Sequence, residues 1–105
     1  MSLDARYGPP FMLIIAGHLT VAHADRDAYV AECVPAVEAA RVAPGCLDWS
    51  ITADTVDPTR IVIYERWDSE QALLAFRGSG PSDDQQAAIL DADVKRYGIS
   101  SVGDP

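Results

Sequence analysis

Glu65 and Trp67 stand two residues apart in the run RIVIYERW, the spacing that puts both side chains on one face of an extended strand. Such a pair can do chemistry in two ways. Glu65 can accept a proton from a ligand, and Trp67 can offer a flat apolar wall on which an aromatic ring stacks. The structural alternatives are equally physical: Trp67 as core at a sheet–helix junction, and Glu65 as a partly exposed carboxylate paired with Arg66 or Arg77. His18, in MLIIAGHLTV, carries an imidazole that can act as a base near neutral pH, although strand alternation turns it to the side opposite Gly17. His23 reads as a solvated residue ahead of the first helix. Trp49 shares a face with Leu47 and Ile51, either in the core or lining a pocket. Cys33 and Cys46 make neither a disulfide framework nor a zinc site, because a structural zinc normally takes four ligands and the two histidines lie outside any ligand spacing with them. We read them as free, buried thiols and expect no metal and no bound cofactor.

Elements that position these residues follow from periodicity. Residues 12–21 are rich in branched apolar side chains and have the length of a strand covered on both faces. From Asp25, a plausible N-cap, Tyr29, Val30, Cys33, Val34, Val37 and Ala40 recur at spacings of three and four, the stripe of a helix that ends at Gly45. Pro35 removes one backbone hydrogen bond from that helix and predicts a kink rather than two helices. Residues 46–53 alternate, Asp57-Pro58 supplies a turn, and residues 60–67 alternate again, so the two strands form an antiparallel hairpin. Asp68 or Ser69 caps a helix carrying Ala72, Leu73 and Phe76. Gly78 and Gly80 break it, and Pro81 opens another helix with Ala88, Ile89 and Leu90 inward. A short strand over 97–102 closes the order β-α-β-β-α-β.

That order predicts an α+β, ferredoxin-like fold with helices on one face of an antiparallel sheet. Val62, Tyr64 and one parity of the first strand are left on the other face, an apolar patch that a second copy of the chain would cover, so we expect a homodimer. Residues 1–11, with Gly8-Pro9-Pro10, read as a flexible extension and residues 12–105 as one domain, which is all the core that 105 residues support. Eight basic against sixteen acidic residues leave a net charge of −8, and the basic residues are scattered, which argues against nucleic acid and anionic membranes as partners. The apolar run Phe11–Gly17 is far shorter than the roughly 20 residues that span a bilayer, so we expect no membrane anchor and a cytoplasmic location.

The stretch Ile61–Phe76, IVIYERWDSEQALLAF, together with Val42-Ala-Pro-Gly-Cys-Leu47, resembles the antibiotic biosynthesis monooxygenase family over residues 12–102. Its most specific part is Glu65-x-Trp67 followed by an acidic, Ala/Leu-rich helix. The resemblance implies a dimeric α/β barrel and oxidation of a phenol, quinol or polyketide-type aromatic by molecular oxygen without metal or flavin. It implies Trp67, Glu65 and His18 as catalytic candidates and Trp49, Phe76 and Leu73 as substrate-binding ones. The chain departs from the pattern where family members commonly carry histidines: it has Ala75-Phe76-Arg77 and Gly80-Pro81 at those places. Phe76 would make the pocket drier and remove a proton acceptor, which keeps open a non-catalytic, dimeric binding protein for a small aromatic molecule. Gly17 stands where a haem-degrading branch has an asparagine, so haem is the weaker reading.

Overall fold

The computed structural model describes residues 12–77 and 83–105. The branched apolar run forms strand β1 (Leu13–Val21), and the alternating segments form β2 (Cys46–Ala53) and β3 (Arg60–Trp67). With β4 (Ile89–Gly98) they make an antiparallel sheet in the order β2-β3-β1-β4. Helical segments α1 (His23–Glu32), α2 (Val34–Arg41), α3 (Glu70–Arg77) and α4 (Asp83–Ala88) complete the described chain. The order is the ferredoxin-like one, with a sheet that does not close on itself within one chain.

Three elements differ from the sequence expectation. The first helical stretch is two segments meeting at Cys33, not one kinked helix. Pro35 occupies an early position of α2 and has no N–H to donate backward, so the hydrogen-bond ladder breaks there; Cys33 nevertheless keeps a right-handed helical backbone and its N–H reaches the Tyr29 carbonyl. The N-cap is Ala22, not Asp25, and His23 opens α1; Asp25 lies in the first turn, where its charge faces the positive end of the helix dipole. The last strand runs over Ile89–Gly98, earlier and longer than expected, so Ile89 and Leu90 belong to β4 rather than to a helix. The expected extension over 1–11, the Gly78/Gly80 break and the helix start at Pro81 fall outside the described residues. Ser69, one of the two expected caps, does cap α3: its Oγ accepts the Ala72 N–H at 3.1 Å.

Arg26 ties α1 to the β2–β3 turn. Its guanidinium donates to the Asp57 carbonyl at 3.0 Å and the Arg60 carbonyl at 3.1 Å. The turn itself is closed by its aspartates: Asp54 accepts the N–H groups of Val56 and Asp57, and Asp57 accepts the N–H and the hydroxyl of Thr59.

Odd-numbered residues of β1 and β3 face the helices and pack two clusters. One gathers Leu13, Ile15, Ala40, Trp49, Trp67 and Leu73; the other gathers Val21, Tyr29, Cys33, Ile61 and Ile63. Ile51 and Val94 touch both. Even-numbered residues, among them Ile14, Ala16, Val62, Tyr64 and Arg66, form the outer face, each only partly buried.

Gly17 is the position on which the β1–β4 pairing depends. It has φ +150° opposite Val94, and a Cβ there would lie 1.9 Å from the Asp93 carbonyl oxygen. No side chain fits at that distance, so glycine is what lets β4 approach. Gly17→Ala is expected to lower the unfolding free energy by about 3 kcal/mol or more, measured by urea denaturation; a variant as stable as the parent would contradict this packing.

Candidate functional site

Between the two core clusters lies a cavity of about 620 Å³, roofed by α1 and α3 and floored by the sheet. Its walls are mostly apolar: Ile15, Ile51 and Ile63 from the strands, Trp49 and Phe76 as aromatic faces. Polar groups enter at few places, Glu65 from the sheet and Tyr29, Glu32, Arg77 and Gln85 from the helices. A mostly apolar pocket with a few convergent polar groups is the usual form of a small-molecule site.

Glu65 holds its position through the neighbour predicted to share its face. The Trp67 indole Nε1–H donates to Glu65 Oε1 at 3.0 Å. That hydrogen bond, rather than an ion pair with Arg66 or Arg77, is the carboxylate's fixed contact. It satisfies an indole nitrogen that has no solvent, since Trp67 is fully buried, and leaves Oε2 as the carboxylate's second acceptor. Phe76 joins the two tryptophans: its ring lies 5.4 Å from that of Trp67, tilted, and 6.0 Å from that of Trp49, edge to face.

The sequence candidates therefore separate. Glu65, Trp49 and Phe76 come together on the cavity wall. Trp67 and Leu73 are wholly buried in the cluster behind it, so Trp67 reaches the cavity through Glu65 and not as an exposed stacking wall. His18 lies on the outer face opposite Val62 and Asp93, across the sheet from Glu65. His23 is exposed at the start of α1.

Tyr29, Cys33 and Gln85 were not singled out for the site. The first two lay in the helical stripe at a spacing of four, a signal that said "inward" without saying whether inward meant core or cavity. The Cys33 thiol is pushed up by burial, only partly offset by the Gln85 amide that donates to its sulfur at 3.6 Å, and the Tyr29 hydroxyl is raised by burial and by the neighbouring Cys33 and Glu32. Both stay protonated at neutral pH. Among the described residues no three His, Cys, Asp or Glu side chains cluster to hold a metal ion, and no helix is long and apolar enough to cross a membrane.

This fold and cavity coincide with a family match. The model of the antibiotic biosynthesis monooxygenase family matches residues 12–89. The chain belongs to that family. A solved Chloroflexus aurantiacus J-10-fl protein, provisionally named an antibiotic biosynthesis monooxygenase, is 31% identical with a TM-score of 0.65, covering 90% of this chain and 96% of its own. A Nitrosomonas europaea protein of the same provisional name superposes with a TM-score of 0.69 at 19% identity, over 86% of this chain and 91% of that one. A Deinococcus radiodurans counterpart gives 0.65 at 18% identity, over 89% and 97%. No curated protein matches in sequence. The match extends over nearly the full length of each of those structures.

The buried thiol gives a direct check on the cavity's protonation. Cys33 is expected to react with iodoacetamide more slowly than an exposed cysteine. Its rate should go on rising with pH beyond the point where an ordinary thiol has levelled off, followed by peptide mass spectrometry. A fast reaction that saturates near neutrality would show a thiolate there instead.

Proposed function

We propose that this protein is a monooxygenase that oxidises a phenolic, quinol or polyketide-type aromatic with molecular oxygen, using Glu65 as the proton acceptor. The observation that carries the reading is the Glu65 carboxylate, anchored by Trp67 and facing an apolar cavity walled by Trp49 and Phe76. Its chemistry needs no more than a positioned base. Removing a proton from an aromatic hydroxyl, or from the activated CH₂ of an anthrone, leaves an anion that can pass an electron to dioxygen. Conversion of that CH₂ to C=O supplies all four electrons required: one oxygen atom stays in the carbonyl and the other leaves as water. The apolar walls exclude bulk water from the anion while Phe76 and Trp49 hold the ring. In this reading the chain needs no metal or organic cofactor, and His18 takes no part in proton transfer, since the sheet separates it from Glu65.

Oxygen uptake by the purified protein with an anthrone or a reduced naphthoquinone tests this. Turnover above the spontaneous background should fall on the order of a hundredfold in Glu65→Gln, the usual worth of a positioned base, and less in Trp67→Phe, which loosens the carboxylate but leaves it in place. The histidine-free cavity wall favours a second reading, a binding protein for a small aromatic molecule. Uptake equal to background, with a ligand-dependent rise in Tm, would select it.

We also propose that the working form is a homodimer formed across the outer sheet face, where Ile14, Val62 and Tyr64 form an apolar strip and the buried Arg66 Nε has no partner among the described residues. Val62→Asp should shift the sedimentation equilibrium from dimer to monomer; a parent protein that sediments as a monomer would refute the assignment.

A further inference from the structure

Phe76 borders two spaces at once. One is the cavity that holds Glu65. The other is a cleft of about 570 Å³ between α3 and the 43–45 loop that precedes β2, and among the described residues Phe76 alone lines both. The cleft walls are mostly short, apolar side chains, among them Ala43, Pro44, Ala72 and Ala75. Its loop is fixed against the helix. The Asp68 N–H donates to the Gly45 carbonyl at 2.8 Å, and at Gly45, with φ +84°, a Cβ would stand 2.4 Å from that of Ala72. Backbone geometry and small residues therefore shape the cleft, and no long side chain has to move to open it.

Phe76 stands at the Glu65 end of the cavity. Trp67 donates to Glu65, Trp49 is the cross-strand partner of Glu65, and the Phe76 ring lies 5.4 Å from the first indole and 6.0 Å from the second. Trp67 and Leu73 are wholly buried and held by packing, whereas Phe76 is half-buried with open space on two sides. We infer that Phe76 is the specificity-determining partition of the site: its ring closes the Glu65 end of the cavity against the cleft and excludes aromatics that carry a bulky group beside the hydroxyl given to Glu65. The role rests on the reading of Glu65 as the ligand's proton acceptor. A ring whose hydroxyl meets Glu65 turns the positions beside that hydroxyl toward Phe76. A hydrogen fits there, but a phenyl group and the Phe76 ring would claim the same space. Selection of this kind acts by rejecting the wrong shape, since the apolar walls themselves would accept either. With a small residue at 76 the cavity and the cleft become continuous, and the cleft receives the group that the ring had kept out.

Binding under argon to two isomers, 3-phenyl-2-naphthol and 6-phenyl-2-naphthol, tests the partition without turnover. They share size and hydrophobicity and differ in whether the phenyl group lies beside the hydroxyl or far from it. The parent protein is expected to bind the 6-phenyl isomer at least about tenfold more tightly, the discrimination that a shape clash in an apolar pocket provides. Phe76→Ala should strengthen 3-phenyl-2-naphthol binding about tenfold and change that of the 6-phenyl isomer by no more than about threefold. Phe76→Leu, which keeps an apolar side chain of intermediate size, should fall between them and serves as the readout if the alanine variant does not fold. The ratio between isomers is the decisive quantity, because a merely structural loss would weaken both alike. Equal binding of the isomers by the parent overturns the inference, as does an unchanged ratio in both variants or failure of either isomer to bind any form of the protein. Selection that Phe76→Ala abolishes, in a protein that takes up no oxygen, would sustain the partition and sink the oxygenase.

Discussion

An indole nitrogen deep in a protein must find an acceptor, and the Trp67 Nε1–H finds Glu65 two residues back on the same strand. Much of the molecule is arranged around that bond. Trp67 fills the junction of β3 with α3, where Leu73 packs beside it and Ser69 caps the helix that carries Leu73. The same bond takes one oxygen of Glu65 and so sets where the other is directed. A residue of the core thus governs a residue of the cavity, and the two-residue period of the strand is what couples them.

The cavity exists because the helices do not run evenly over the sheet. Pro35 divides the first helical stretch at Cys33, and among the described residues Ile51 and Val94 pack against both core clusters. Between them the floor is the row Trp49, Glu65 and Ile15, neighbours across three strands. Burial keeps Tyr29 and Cys33 protonated at the helix side, where Glu32 and Arg77 also enter, while Glu65 is the ionisable group that the sheet contributes. The opposite face of the same strands carries a different set of side chains, Ile14, Ala16, Val62 and Tyr64 interspersed with His18, Arg60 and Arg66 along β1 and β3 and mostly charged ones along β4, and it shares no residue with the cavity.

How much of this was legible in the sequence varies with how strongly each segment is patterned. The β2–β3 hairpin could be read because its inward positions, Trp49, Ile51, Ile61, Ile63 and Trp67, alternate with polar or outer ones and Asp57-Pro58 punctuates them. β4 could not. Its run ILDADVKRYG has charged residues on both parities and lies at the sheet edge with most side chains exposed, so no face imposes a period on it. Its place depends on pairing with β1 and on the absence of a side chain at Gly17, facts that belong to another part of the chain. The split at Cys33 and the capping by Ala22 were missed for a similar reason: both depend on backbone geometry that a helical stripe of apolar residues does not encode.

By itself the sequence determined the strand-helix order, the sharing of one face by Glu65 and Trp67, and the turning of His18 to the other side of β1, because alternation along a strand is set by covalent geometry alone. Only the tertiary structure decided that Trp67 is a support and Trp49 a cavity wall, and that among the described residues one indole is paired and the other is not. Periodicity states which residues face the same way. What they face is decided by segments distant in the chain, here α1, α3 and β4, whose packing leaves space above Trp49 and none above Trp67.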